Sequence, residues 1–152
     1  MSEPEGLERV YRDQGRQLWR AVLAYAGDPD VASDAVAEAF AQALRRGSAI
    51  REPARWVWTA AFRIAAGELQ RRGRRGDRPS DGSYELPEEA IQLASVLRTL
   101  PHKQRAALVL HYYADLPNER IADVLGITRA TVRVHLSQGR RRLRRMLEDD
   151  DA

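Results

Sequence analysis

Asn118-Glu119-Arg120-Ile121-Ala122-Asp123-Val124-Leu125-Gly126-Ile127-Thr128-Arg129-Ala130-Thr131-Val132-Arg133-Val134-His135-Leu136 is the stretch that decides how the C-terminal half of this chain folds. A small residue, Ala122, precedes Gly126 by four positions, and Ile127, Val132 and Leu136 follow. That is the spacing of a helix-turn-helix. Ala122 lets two helices approach closely, Gly126 permits the positive φ of a tight turn, and Ile127 and Val132 fill the wedge between the helices. Asn118 is placed to cap a short helix over Glu119–Leu125, and Thr128 to cap a last long helix reaching about Glu148. That last helix has two faces. Val132, Leu136, Gly139, Leu143 and Met146 recur at spacings of four and three and turn inward, while Arg129, Arg133, Ser137, Arg140, Arg141 and Arg144 fall on the other side.

The charge pattern agrees with a polyanion partner for this segment. All but one of the 25 basic residues are arginine, the exception being Lys103. A GC-rich genome accounts for the abundance of arginine, so its distribution carries more information than its number. Residues 1–70 hold nine basic and ten acidic residues, whereas Glu119–Leu147 holds eight basic and two acidic. An arginine-faced helix suits the DNA major groove, with its N-terminal residues nearest the base edges. The plain alternative is a solvated charged face, and the helix-turn-helix spacing just upstream argues against it.

Working outward, almost every segment reads as helix, with no sustained period-two alternation. Leu7, Val10, Tyr11, Leu18, Val22 and Tyr25 mark a first helix over about Glu5–Ala26, which Gly27 can end. Asp28-Pro29 supplies an N-cap and a first-turn proline for a second helix carrying Val31, Ala35, Val36, Ala39, Phe40, Ala43 and Leu44, closed by Arg45, Arg46 and Gly47. A third helix starts near Pro53 and ends near Arg71, with Val57, Ala60, Ala61, Ile64, Ala65 and Leu69 on one broad face and Trp58 and Phe62 at its flank. Arg71–Ser83 (RRGRRGDRPSDGS) is rich in glycine, proline, serine and charge and reads as a linker. Helix signals resume at Pro87-Glu88-Glu89, break at Pro101, and return from His102 to Tyr113. The expected fold is all-α: two small helical domains, residues 1–70 and 87–148, joined by a flexible linker over 71–86, with an acidic, disordered tail at 149–152.

Other chemistries find little support. With 152 residues and no cysteine, the chain has no disulfide, thiolate metal site or cysteine nucleophile. His102, His111 and His135 lack metal-ligand spacing, so no metal and no cofactor is expected. Neither a phosphate-binding glycine loop nor a nucleophile elbow is present, and no catalytic residue is assigned. No apolar run approaches the ~20 residues of a membrane span, and the acidic start shows no secretory signal, so membrane insertion is not expected and a cytoplasmic location is.

The residues also carry a family likeness. Leu100-Pro101-His102-Lys103-Gln104-Arg105 through Tyr112-Tyr113, then Ile121–Thr128 and Thr131-Val132-Arg133, resemble the C-terminal DNA-binding domain of bacterial extracytoplasmic-function (ECF) sigma factors. Gly27–Asp34 with Val36–Phe40, Trp56-Val57-Trp58 and Glu68-Leu69 are similar to segments of that family's N-terminal domain. The likeness spans about Leu7–Leu147. It implies that the first module is sigma domain two, which docks on the clamp of core RNA polymerase and opens the minus-ten element. It implies that the second is sigma domain four, which reads the minus-thirty-five element and sits on the polymerase flap. Core RNA polymerase and promoter DNA are the implied partners, with room for an anti-sigma factor.

By the same resemblance, Asp34 and Glu38 fall at polymerase-docking positions; their spacing of four puts both on one helix face, where a merely solvated acidic face is the alternative. Arg55, Trp58, Phe62 and Arg63 fall where the minus-ten strand is opened, an aromatic beside arginine being suited to an unpaired base and its phosphate. Trp56 is read as core, and Trp58 is open between core and base stacking. Arg129, Thr131 and Arg133 are expected at base edges, with Ser137, Arg140, Arg141 and Arg144 along the backbone. The family pattern is broken at Ala37, Arg63 and Gly67, all in the first module. The alternative function is a helix-turn-helix regulator that never engages polymerase.

Overall fold

The computed structural model describes residues 3–75 and 88–151. Its helices are α1 (Glu3–Ala26), α2 (Pro29–Arg46), a short 3-10 turn (Gly47–Ala49), α3 (Pro53–Arg75), α4 (Glu88–Leu97), α5 (His102–Leu108) continued by a π turn (Val109–Tyr113), α6 (Asn118–Leu125) and α7 (Arg129–Asp151). Among the described residues there is no strand.

Helices α1–α3 form the first module. Leu18 and Val22 of α1, Val31, Ala35 and Ala39 of α2, and Val57, Ala61 and Ala65 of α3 are buried almost completely. The many alanines let the three helices pack closely. Between α1 and α2, Gly27 takes φ +70°, which brings Asp28 into the capping position. The Asp28 carboxylate accepts the N–H groups of Asp30 (2.9 Å) and Val31 (3.2 Å) and also the Arg72 guanidinium at 2.7 Å. This last bond corrects the expected end of α3. The helix does not stop at Gln70 or Arg71 but runs to Arg75. Glu68 accepts from both Arg71 and Arg72, and Arg72 in turn completes the buried Asp28. The charged residues taken as linker are thus held by partners three and four positions back and by the α2 cap. The remainder of the linker, from residue 76, and the start signal at Pro87 lie outside the described residues.

The second module packs α5 across α7 and both against α6. Leu110, Ile121, Val132 and Leu136 are its buried centre. Gly139 is the closest approach: a Cβ there would lie 2.8 Å from Cδ1 of Leu108. The π turn ends where the Ala114 N–H reaches the Val109 carbonyl at 3.0 Å. At the C-terminus the structure corrects a second expectation. The acidic run is not disordered at its start, since α7 continues to Asp151. Arg144 and Arg145 stand four residues before Glu148 and Asp149, so opposite charges share helix faces there.

The two modules are not beads on a string. Their buried residues form one contiguous core, with α6 packed on α3 and α4 and the π turn packed on α1.

Candidate nucleic-acid interface

The helix-turn-helix is built as its spacing predicts. Gly126 sits in the left-handed region (φ 68°, ψ 36°), and the Gly126 and Ile127 N–H groups both turn back to the Ala122 carbonyl. Thr128 caps α7: its hydroxyl accepts the Thr131 N–H at 3.1 Å and lies 2.8 Å from the Thr131 hydroxyl. Val132 is fully buried in the wedge and Ile127 half-buried. The cap of α6 differs from expectation. Asn118 is the first helical residue, and Pro117, in extended conformation, holds the N-cap position. The Pro117 carbonyl receives the Arg120 and Ile121 N–H groups, and no cap bond comes from a side chain.

Along α7 the two faces separate cleanly. Arg129, Arg133, Ser137, Arg140, Arg141 and Arg144 are all exposed, and Thr131 is half-buried. Arg129 donates to Glu119 at 3.1 Å, and Arg140 donates to the Tyr112 hydroxyl at 3.0 Å. No intramolecular hydrogen bond or ion pair engages Arg133, Arg141 or Arg144 among the described residues. At 1.5 Å of rise per residue, Arg133 and Arg141 stand about 12 Å apart along the axis, about the width of a major groove. One can lie over base edges while the other reaches the groove's phosphate rim.

On the first module the sequence-assigned strand-opening residues divide. Arg55 and Arg63 line a cleft of about 540 Å³ together with Arg46, Arg51 and Trp56. Trp58 and Phe62 do not. They are 3% and 2% exposed, stack in parallel with centroids 6.4 Å apart, and belong to the core; the Trp58 indole N–H donates to Gln14 at 3.0 Å. Trp56, read as core, is the tryptophan on the cleft, with the Arg46 guanidinium 5.5 Å from its ring centroid. The cause is helix phase. Val57, Trp58, Ala61, Phe62 and Ala65 make one buried stripe at spacings of one, three, one and three, and Trp56 falls a step outside it.

Asp34 and Glu38 are exposed on one face of α2. Hydrogen bonds from Gln42 and then Arg45 hold the Glu38 carboxyl below its ordinary range. The surface here also shows Leu44 at 65% exposure and Tyr11 at 64%, the latter edge-on to Phe40. On the second module, Leu97, Leu108, Tyr112, Leu143 and Leu147 line an apolar groove of about 550 Å³.

A set of contacts between the modules escaped the sequence. Arg55, besides bonding Glu52 at 3.0 Å, pairs with Asp123 of α6, so an acid of the helix-turn-helix enters the cleft. Arg98 donates to the Gly27 carbonyl at 2.7 Å. Arg105 lies over the Tyr25 ring at 5.1 Å, and the Tyr25 hydroxyl is 3.3 Å from Nδ1 of His102. Burial pushes the Tyr25 phenol up, and the nearby Arg105 opposes that shift. Burial, then the positive charges of Arg105, Lys103 and His135, push His102 down. The one faint sequence signal was Asp123, one of only two acids in an otherwise basic stretch. No helix among the described residues is long and apolar enough to cross a membrane.

Fold and site together define a helix-turn-helix protein with an arginine-faced recognition helix, and residues 90–143 match the family Sigma-70, region 4. Curated relatives align over nearly the whole chain. An ECF RNA polymerase sigma factor, SigL, of Mycobacterium tuberculosis is 29% identical over 94% of this chain and 89% of its own length. RNA polymerase sigma factor SigV of Bacillus subtilis is 24% identical over 91% and 89%. Among solved structures, the fold is shared with the sigma factor RpoE of Bartonella quintana in complex with the anti-sigma factor NepR, at a TM-score of 0.74 and 18% identity over 90% of this chain and 95% of that one. It is also shared with CnrH in complex with the cytosolic domain of CnrY, at 0.76 and 20% over 95% and 88%. Over more than nine-tenths of its length the chain is thus similar to ECF RNA polymerase sigma factors, and its residues 90–143 carry the region 4 match.

Proposed function

We propose that this chain is a transcription initiation factor that binds core RNA polymerase and directs it to a set of promoters, acting by binding and not by catalysis, in the cytoplasm. The observation that carries the reading is the capped, exposed arginine face of α7 on a region 4 fold, in a chain that aligns over 94% of its length with a curated relative. In this reading α7 enters the major groove of the minus-thirty-five element, with Arg129, Thr131 and Arg133 at base edges and Ser137, Arg140, Arg141 and Arg144 toward phosphate. The face bearing Asp34 and Glu38, flanked by Leu44 and Tyr11, meets the clamp. The cleft of Arg55, Arg63 and Trp56 takes the opened minus-ten strand, the indole stacking on a base and the guanidinium groups holding phosphate. The apolar groove beside the π turn takes the flap or an anti-sigma factor, as one of the structural relatives is itself a complex with an anti-sigma factor.

The test is reconstitution. The chain is mixed with core RNA polymerase and a randomised promoter library, and the transcripts are sequenced. Co-elution with core enzyme and start sites sharing two upstream elements are expected. Promoter binding without polymerase association would overturn the reading.

A further inference from the structure

The outermost line on the first turns of α7 is apolar, not basic. Resting on the reading of α7 as a major-groove helix, we infer that Ala130 and Val134 form a strip that recognises the C5-methyl groups of one or two adjacent thymines. The minus-thirty-five element is then selected for thymine beside the bases that arginine takes.

The placement comes first. Val134 is 51% exposed, and Ala130, one turn earlier, is exposed too. Val132 and Leu136, two positions to either side of Val134, are buried. Two positions are about 200° of helix rotation, so Val134 points almost directly away from the core, and Ala130 stands about 40° from it. Among the described residues neither belongs to the core nor packs against it. Single apolar side chains are ordinary on a protein surface. A valine is nonetheless a poor choice for a solvated helix position, because its branched Cβ restricts χ1, so local folding does not call for one here.

The neighbours come next. Each apolar residue follows an exposed arginine, Arg129 before Ala130 and Arg133 before Val134, about 100° round the helix. The arginines draw a polyanion to this face, and the two short side chains between them let the helix backbone come close to it. The Thr128 cap puts both in the first two turns, where base edges lie nearest. The chemistry then narrows the choice. Alanine and valine have no donor or acceptor, and the apolar group that a base pair shows in the major groove is the thymine methyl. Ala130 and Val134 are about 6 Å apart along the axis, and base pairs stack about 3.4 Å apart, so the strip spans two adjacent pairs.

The experiment selects promoter-length duplexes from a randomised library, with the full chain bound to core RNA polymerase and in parallel with the full chain alone. The selected element is resynthesised with deoxyuridine replacing each thymine in turn, which removes the methyl group and keeps every hydrogen-bonding group. Affinity should fall about fourfold at one or two adjacent positions, the worth of one buried methyl group, and hold at the others. Val134→Ala, at an exposed site, should fold as the parent does, bind the thymine duplex about fourfold more weakly, and no longer distinguish uracil from thymine at one of those positions. Val134→Thr, which keeps one methyl group on the same branch, should retain part of the distinction. A selected element without thymine, or one with no uracil-sensitive position, overturns the proposal. So does a uracil effect that survives undiminished in Val134→Ala, since it then belongs to DNA shape. The functional reading fails separately. A chain that selects duplexes but retains no core enzyme refutes that reading, and the uracil scan on the full chain alone still decides the methyl contact.

Discussion

Replacing Arg133 and Arg141 one at a time should produce two different kinds of loss. Both side chains are exposed on α7, and neither makes an intramolecular hydrogen bond or ion pair among the described residues. Their removal leaves no orphaned partner, so the fold should lose less than about 0.5 kcal/mol and the whole effect should fall on DNA. Arg133 lies one turn from the Thr128 cap, at the end of the helix that penetrates a groove. A guanidinium bidentate to guanine is worth about 1–3 kcal/mol of discrimination, so Arg133→Ala should flatten preference at one or two positions of the minus-thirty-five element. On the proposed docking, Arg141, about 12 Å further along the axis, falls at the phosphate rim. Arg141→Ala should weaken every sequence alike and lower the slope of log K against log salt by about one. Arg129 is an internal control. Its Glu119 partner is 73% exposed, so Glu119→Gln should release it and strengthen binding by no more than about 1 kcal/mol. The assay is the full chain, and its holoenzyme, on a promoter series in which each minus-thirty-five position is varied, at several salt concentrations. Uniform loss for Arg133→Ala together with altered base preference for Arg141→Ala would reverse the helix in the groove and refute the reasoning.

Three further outcomes are expected. Gly139→Ala adds a Cβ 2.8 Å from buried Leu108 Cδ1; overpacking of about 1–3 kcal/mol, set against a helix-propensity gain of about 1, leaves a net loss of about 0–2 kcal/mol in chemical denaturation. Combining it with Leu108→Ala should cost less than the sum of the two, and strict additivity would exclude the clash. Asp34→Arg with Glu38→Arg, on the exposed face of α2, should abolish retention of core polymerase in a pull-down while changing stability by about 0.5 kcal/mol or less; unchanged retention would remove these residues from the docking face. His102 and His135 are both pushed below the ordinary 6.5, chiefly by burial and then by neighbouring positive charge. A depressed pKa means the unfolded chain binds the proton more readily, so the contribution is whole above 6.5 and is lost as pH falls below it. Glu38 and Glu68 begin to matter only beneath 4.5, which isolates the histidine window between these values. Thermal unfolding followed through that window should show falling stability, smaller in His102→Gln; a flat profile would contradict the assigned shifts.

What could be read without coordinates was local or periodic. Gly126 with its positive φ, Thr128 at the α7 cap, Val132 in the wedge and the arginine face opposite Leu136 depend on neighbours within a turn or two, so their spacing alone carries them. Asp28 ahead of Pro29 announced α2 in the same way, and the resemblance of the chain to ECF sigma factors rests on such short motifs.

The errors share a different origin. Trp56 and Trp58 differ by two positions, about 200° of helix rotation, and which one faces the core depends on where α1 and α2 lie against α3. The Gln14 amide that receives the Trp58 indole is 44 residues away in sequence. Arg72 extends α3 past its glycine- and arginine-rich end because Asp28, also 44 residues distant, is buried and needs it. Periodicity reports that a helix has an apolar side; it does not report which distant charge will be stranded there. The contacts of Asp123 with Arg55 and of Arg98 with Gly27 lie further still beyond reach, because both join modules whose relative placement no local pattern encodes. By itself the sequence determined the helices, the turn and the reading face, since those are set by backbone conformation and side-chain spacing. Only the tertiary structure decided which tryptophan meets solvent and which acid fills the cleft, since those depend on long-range packing and on where unpaired charge can be desolvated.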